Sequence, residues 1–166
     1  MSNFEYAFDE VIGLEGGYVN DTGDHGGETK WGVSKRSYPN VDIKNLTKEE
    51  AKQIYWKDFW NKLLLAQVGE VSVALEIFEQ AVNLGRKQAG IHVQGGLQLL
   101  GEIVDQDGWI GQQTIAAINR LGQARTQAYL KILNGFQFMK YLEIVTNDPT
   151  QKKYFVGWLR RIAIYG

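Results

Sequence analysis

Glu15 stands directly before Gly16 and Gly17, and Asp24 follows after eight intervening residues. Both lie in the run Glu15-Gly-Gly-Tyr-Val-Asn-Asp-Thr-Gly-Asp-His-Gly-Gly-Glu-Thr-Lys-Trp-Gly-Val-Ser34. The apolar spacing upstream puts Glu15 near the C-terminal end of a helix, where the backbone dipole is negative and disfavours a further negative charge. Tyr18 and Trp31 are aromatic neighbours that would desolvate it. Both effects raise a carboxyl pKa, as a general acid working near neutral pH requires. The glycines let a bulky ligand approach the backbone. Asp24 lies on a loop able to fold back toward Glu15, and two carboxylates facing each other across a cleft are the machinery of glycoside hydrolysis. The same residues also suit a plainer reading, a helix-end charge followed by acidic turn chemistry.

The elements that must hold these residues are mostly helical. Phe4, Ala7, Phe8, Val11 and Ile12 recur at helical spacing, with Ser2 or Asn3 as cap. Residues 16–32 hold six of the 19 glycines and predict a shaped loop, with a small hairpin pairing Tyr18-Val19 against Thr29–Val33. Thr47 and Glu50 form a capping box that opens a helix to about Leu64. Ser72 is expected to cap a helix ending at Gly85. Residues 86–100 read as a weaker helix, because Gly90, Gly95 and Gly96 fall inside it. Asp107-Gly108 reads as a turn, Gly111 leads into another helix, a long helix runs from Ala124 to about Thr146, and Asp148-Pro149 breaks it before a last one. Seven or eight helices and one small hairpin result.

Composition bounds the chemistry. The chain has 166 residues, 44% of them hydrophobic and 22% charged, which is globular rather than disordered. With no cysteine, thiolate metal sites, disulfides and a cysteine nucleophile are excluded. His25 and His92 are too few for a histidine metal centre, and exposed or capping roles are expected for them. Asp21, Asp24 and Glu28 do not fit an EF-hand calcium loop, since Gly23 and Gly32 fall where ligands belong. No metal and no cofactor are expected. A formal net charge of −1 argues against a generic nucleic-acid binder. The charge is uneven: residues 1–84 carry 8 Lys/Arg against 14 Asp/Glu, and residues 85–166 carry 10 against 5. A basic second half suits an anionic polymer, and equally suits solvated helix faces. No apolar run approaches the ~20 residues of a membrane span. Glu5 and Asp9 occupy the start of the chain, where a secretory leader would be cationic, so synthesis in the cytoplasm without a signal peptide is expected.

The stretch from Glu15 to Ser34 resembles the signature of glycoside hydrolase family 108, the N-acetylmuramidase group of phage endolysins and secretion activator proteins. That signature reads Glu-Gly-Gly-Tyr-x-Asn-Asp-Pro-x-Asp-x-Gly-Gly-x-Thr-x-x-Gly-Ile-Ser. The matches are Glu15, Gly16, Gly17, Tyr18, Asn20, Asp21, Asp24, Gly26, Gly27, Thr29, Gly32 and Ser34, with Thr22 for Pro and Val33 for Ile. Phe78 to Gly85 resembles the family's Phe-Asp-x-Ala-Val-Asn-x-Gly segment, with Glu79 in place of Asp. Asp107 to Thr114 resembles the Asp-Gly-x-Ile-Gly-x-x-Thr of the peptidoglycan-binding type 3 domain, and Gly157 to Arg161 its Gly-Trp-Leu-x-Arg close.

The resemblance implies a lysozyme-like α+β fold, mainly α-helical, with a small β-hairpin lobe and a helical C-terminal lobe. Residues 1–85 would be catalytic and 86–166 would form the peptidoglycan-binding part, packed as one unit. It implies an N-acetylmuramidase cutting the β-1,4 bond between N-acetylmuramic acid and N-acetylglucosamine in peptidoglycan. Glu15 would be the catalytic acid. Asp24 and Thr29 follow by similarity to phage-type lysozymes, whose acid Glu is followed by Asp after eight residues and Thr after five; here Thr29 follows Asp24 after four. Tyr18, Trp31 and Asn83 are the candidate sugar contacts, with Trp56 and Trp60 read as core. Arg160 and Arg161 are the candidate wall contacts. The partner implied is the peptidoglycan glycan strand, reached after release by a holin or an export system, with no nucleic acid, no membrane insertion and a monomer expected. A lytic transglycosylase, a non-catalytic wall-binding module and a secretion factor stay open as alternatives.

Overall fold

The structure, a computed structural model, describes residues 2–13, 17–21 and 27–162. The described residues form seven α-helices and one three-stranded antiparallel sheet, an α+β fold that is mainly helical. The chain divides into two compact units, Met1–Lys62 and Leu63–Gly166. This division falls before the expected 85/86 boundary because the helix ending at Leu84 packs on the helices that follow it.

In the first unit, α1 (Asn3–Ile12) starts at Ser2, whose hydroxyl accepts the Glu5 N–H at 3.2 Å while Glu5 Oε2 accepts the Ser2 N–H at 2.9 Å. This reciprocal pair satisfies two amides that the helix cannot. Gly13, at φ 74°, ends the helix. Thr47 and Glu50 repeat the device at α2 (Lys48–Tyr55). After Tyr55 the chain winds on as a π-helix, Trp56–Trp60, which turns Trp56 outward at 48% exposure and Trp60 inward at 3%. Trp56 is therefore not core. Phe8 meets Tyr55 edge-on at 5.6 Å, and Phe4 meets Trp60 at 5.5 Å, so an aromatic seam joins α1 to α2. Asp9 accepts from Lys48 Nζ at 2.8 Å, which holds its carboxyl below the usual range.

The sheet comprises β1 (Val19–Asp21), β2 (Gly27–Lys30) and β3 (Val33–Ser34) in that order. Val19 pairs with Thr29, within the pairing of Tyr18-Val19 against Thr29–Val33 expected from the sequence, but the expected second strand is divided at Trp31-Gly32. The third strand was not foreseen. It forms because Trp31 (φ 52°) and Gly32 (φ 71°) both adopt left-handed backbone, as a two-residue hairpin turn requires. Packing also favours glycine at this position, since a Cβ there would stand 2.5 Å from the Tyr55 hydroxyl and force that side chain to shift.

In the second unit, α3 (Val71–Leu84) and α4 (Arg86–Leu99) meet at Gly85, whose φ of 87° reverses the chain within one residue. The cap of α3 is Glu70 rather than Ser72. α5 spans Gln112–Arg120, α6 spans Gly122–Asn147, and α7 spans Lys152–Leu159. Both α3 and α4 pack against α6 over a core of Ile77, Phe78, Val93, Leu97, Tyr129, Leu130 and Leu133. The glycines of α4 serve this packing. A Cβ on Gly96 would stand 2.9 Å from the Tyr129 ring, so small residues let α6 come close and more than offset the lost helix propensity. No helix among the described residues is long and apolar enough to cross a membrane.

Candidate active site

Glu15 and Asp24 lie outside the described residues. What the structure gives is the frame on either side of them in the chain. Glu15 follows the cap of α1 at Gly13, and Asp24 belongs to the five residues linking Asp21 to Gly27, which are paired across β1 and β2. Thr29 sits on β2, half-buried, and among the described residues its hydroxyl donates a long 3.4 Å bond to the Gly27 carbonyl.

Strand pleating divides the sheet's side chains. Val19 and Thr29 share one face, while Asn20 and Glu28 share the other. Tyr18 joins the second face: its hydroxyl donates to Glu28 Oε1 at 2.7 Å, and this bond to a carboxylate raises the phenol pKa. Tyr18 and Thr29 therefore work from opposite faces. Glu28, which the sequence suggests only as a candidate calcium ligand, is the hydrogen-bond partner of Tyr18 on this face. Its signal lies in the register, which sets it across from Asn20 beside Tyr18.

Trp31 is half-buried in the β2–β3 turn. The Lys48 ammonium lies 5.9 Å from its ring centre and 5.8 Å from that of Phe8, so it bridges the hairpin to α1. Its indole N–H is buried with no partner among the described residues.

Asn83, Arg160 and Arg161 belong to the second unit. Asn83 Nδ2 donates to the Glu79 carbonyl at 2.9 Å and to Glu79 Oε1 at 2.5 Å, and Asn83 Oδ1 accepts from Arg161 Nη1. Both ends of the amide are thus engaged within the protein. Arg160 is exposed, in the turn after α7. The other oxygen of Glu79 accepts from Gln137 Nε2 at 2.5 Å, and that nitrogen also donates to the Tyr141 hydroxyl at 3.0 Å. Burial and the nearby Glu76 push the Glu79 carboxyl up to about 7, against the opposing pull of Gln137, Arg161 and Asn83.

His92 continues this buried polar layer. It is 6% exposed, neither on the surface nor capping a helix as its sequence context suggested. Gln80 Nε2 donates to Glu76 Oε1 at 2.7 Å and to the Leu133 carbonyl at 2.9 Å, which leaves Gln80 Oε1 as the acceptor facing His92 Nδ1 at 2.7 Å. The proton of the neutral ring must then sit on Nδ1, and Nε2 accepts from Gln88 Nε2 at 2.9 Å. Burial, with Lys140 adding to it, lowers the His92 pKa to about 4, so the ring stays neutral at ordinary pH.

The chain matches the glycosyl hydrolase 108 family over residues 8–85 and a predicted peptidoglycan domain over residues 88–163. No curated protein sequence matches it. Among solved structures it is similar to SagA of Brucella abortus, at 26% identity, with a TM-score of 0.76, over 96% of this chain and 88% of that one. The fold is lysozyme-like. The two matches together describe a glycosidase that acts on peptidoglycan. Over residues 8–85 the chain is thus similar to the glycosyl hydrolase 108 family, and over residues 88–163 to the predicted peptidoglycan domain family.

Proposed function

We propose that the protein is an N-acetylmuramidase that hydrolyses the β-1,4 bond between N-acetylmuramic acid and N-acetylglucosamine. The observation that carries this reading is the lysozyme-like spacing of Glu15 and Asp24, with Thr29 one residue nearer than the lysozyme Thr, inside the segment matched to glycosyl hydrolase 108. Glu15 protonates the oxygen of the departing sugar. Asp24 deprotonates the attacking water, or stabilises positive charge on the sugar ring. Thr29 helps orient the water from β2, its hydroxyl being only weakly engaged with Gly27. No cofactor enters this chemistry.

Trp31 and Tyr18 would contact the sugars from different parts of the hairpin. Asn83 would have to release Arg161 or Glu79 before binding an acetyl group. Of the two wall-contact arginines, exposed Arg160 is the better candidate, because Arg161 already serves Asn83. The protein would act at the cell wall in phage lysis or in secretion and remodelling. The test is Glu15→Gln, a near-isosteric change that removes only the acid proton. Clearing of cell walls should fall by about 10²-fold or more, the ordinary contribution of a general acid. A folded E15Q protein that clears walls like the wild type would refute the assignment.

A further inference from the structure

Trp109 is 72% exposed, although its neighbours Gly108 and Ile110 are buried. Its backbone is braced on every side. Gln94, buried on α4, accepts the Gly108 N–H at 2.7 Å through Oε1. Gln94 Nε2 donates to Asp107 Oδ1 at 2.8 Å and to the Trp109 carbonyl at 3.0 Å. Asp107 Oδ1 also accepts the Trp109 N–H at 2.8 Å. The turn is seated on α4 where two glycines meet: a Cβ on Gly90 would lie 2.1 Å from the Gly108 carbonyl oxygen. The chain therefore fixes the backbone beneath a large aromatic ring while leaving the ring itself in water. Exposure of an indole does nothing for folding, whereas a preorganised aromatic face loses little entropy when it binds.

We propose that Trp109 is a glycan-stacking platform, its indole packing against the C–H face of an N-acetylhexosamine in the peptidoglycan strand. This rests on the peptidoglycan reading above, since residues 88–163 match the predicted peptidoglycan domain. The turn's chemistry selects sugar over stem peptide. Exposed Asp105 and Asp107 flank the ring in sequence and accept hydrogen bonds from neutral hydroxyls, but repel the carboxylates of stem peptides. Lys87, on α4 beside Gly108, supplies a cation near this rim.

The test uses the full chain carrying Glu15→Gln, so that ligand is not consumed. An N-acetylglucosamine tetramer is titrated while the indole N–H signals are followed by NMR, and binding to purified sacculi is measured by sedimentation. The Trp109 signal, identified by its loss in W109F, should move. W109A should weaken both interactions by roughly five-fold or more, the loss expected on removing an aromatic anchor, and W109F should retain most of the affinity. An unmoved Trp109 signal, or W109A binding within about two-fold of its parent, overturns the platform. Release of reducing ends from peptidoglycan by the wild type is scored separately. Release with Trp109-independent binding removes the platform alone. Trp109-dependent binding without release supports the platform and removes the hydrolase reading.

Discussion

Replacing Glu79 by Gln should make the protein more stable at neutral pH, although it deletes a residue with two short hydrogen bonds. The Glu79 carboxyl has a folded pKa of about 7 against an ordinary 4.5. The native state therefore holds this proton over a pH range in which the unfolded chain has lost it. Stability falls as pH rises wherever the native state binds more protons. The contribution is intact below 4.5 and lost as pH climbs through about 7. At about 1.4 kcal/mol per pH unit, that interval amounts to about 3 kcal/mol. Glu79→Gln is neutral at every pH and removes the loss. The partners can adapt: Gln137 Oε1 has no partner among the described residues, so turning that amide over lets it accept from the new side chain and from Tyr141. Urea unfolding followed by circular dichroism, from about pH 5 to about pH 8, measures both proteins. The stability of E79Q minus that of wild type should rise by about 2.5 kcal/mol across that range and then level off. A difference flat to within about 0.5 kcal/mol would show that Glu79 ionises like an exposed acid, and would refute the buried-layer reasoning.

His92 carries the opposite sign. Its pKa is lowered from 6.5 to about 4, so its contribution is present above 6.5 and lost as pH falls through about 4, again about 3 kcal/mol. Between 4.5 and 6.5 the two groups cancel, and the wild type should be nearly flat in pH there. His92→Gln keeps a donor toward Gln80 and an acceptor toward Gln88, so it should expose the Glu79 slope and gain stability on mild acidification in the same unfolding series. Arg160→Glu should weaken sedimentation with sacculi in a salt-dependent way with stability unchanged, whereas Arg161→Glu should lower thermal stability, because it removes the donor to Asn83 and sets a negative charge near Glu79. Asp24→Asn should cost most of the hydrolysis while sugar binding persists; proton NMR of fresh product should show the α-anomer first, as inversion by a base about 6.5–9.5 Å from the acid requires. A β-anomer first would make Asp24 a nucleophile or charge stabiliser instead.

What the sequence disclosed was what local chemistry decides. Ser2, one of two cap candidates, and the Thr47–Glu50 box mark helix starts because each cap closes within four residues. The Val19 to Thr29 pairing was legible from strand-forming residues on both sides of a glycine-rich link. What stayed hidden depends on tertiary neighbours. Gly90, Gly95 and Gly96 predicted a weak helix, but in α4 they admit Gly108, Gln106 and Tyr129. His92 looked like a surface residue until α3 supplied Gln80 as its acceptor. Trp56 read as core with Trp60 because both are large apolar residues, but only Trp60 is turned inward by the π-helix. At the site, the motif included Thr29 and Tyr18, with Trp31 an aromatic candidate between its fixed positions, but only strand pairing shows that Thr29 and Tyr18 use opposite faces and that Glu28 stands with Tyr18.

Mass spectrometry of purified peptidoglycan after digestion tests the muramidase assignment most directly. Every new end should be a reducing N-acetylmuramic acid that has gained water, and Glu15→Gln should abolish these ends. Anhydro ends, each lighter by one water, would make the protein a lytic transglycosylase. N-acetylglucosamine at the new reducing ends, or no new ends at all, would contradict the assignment outright.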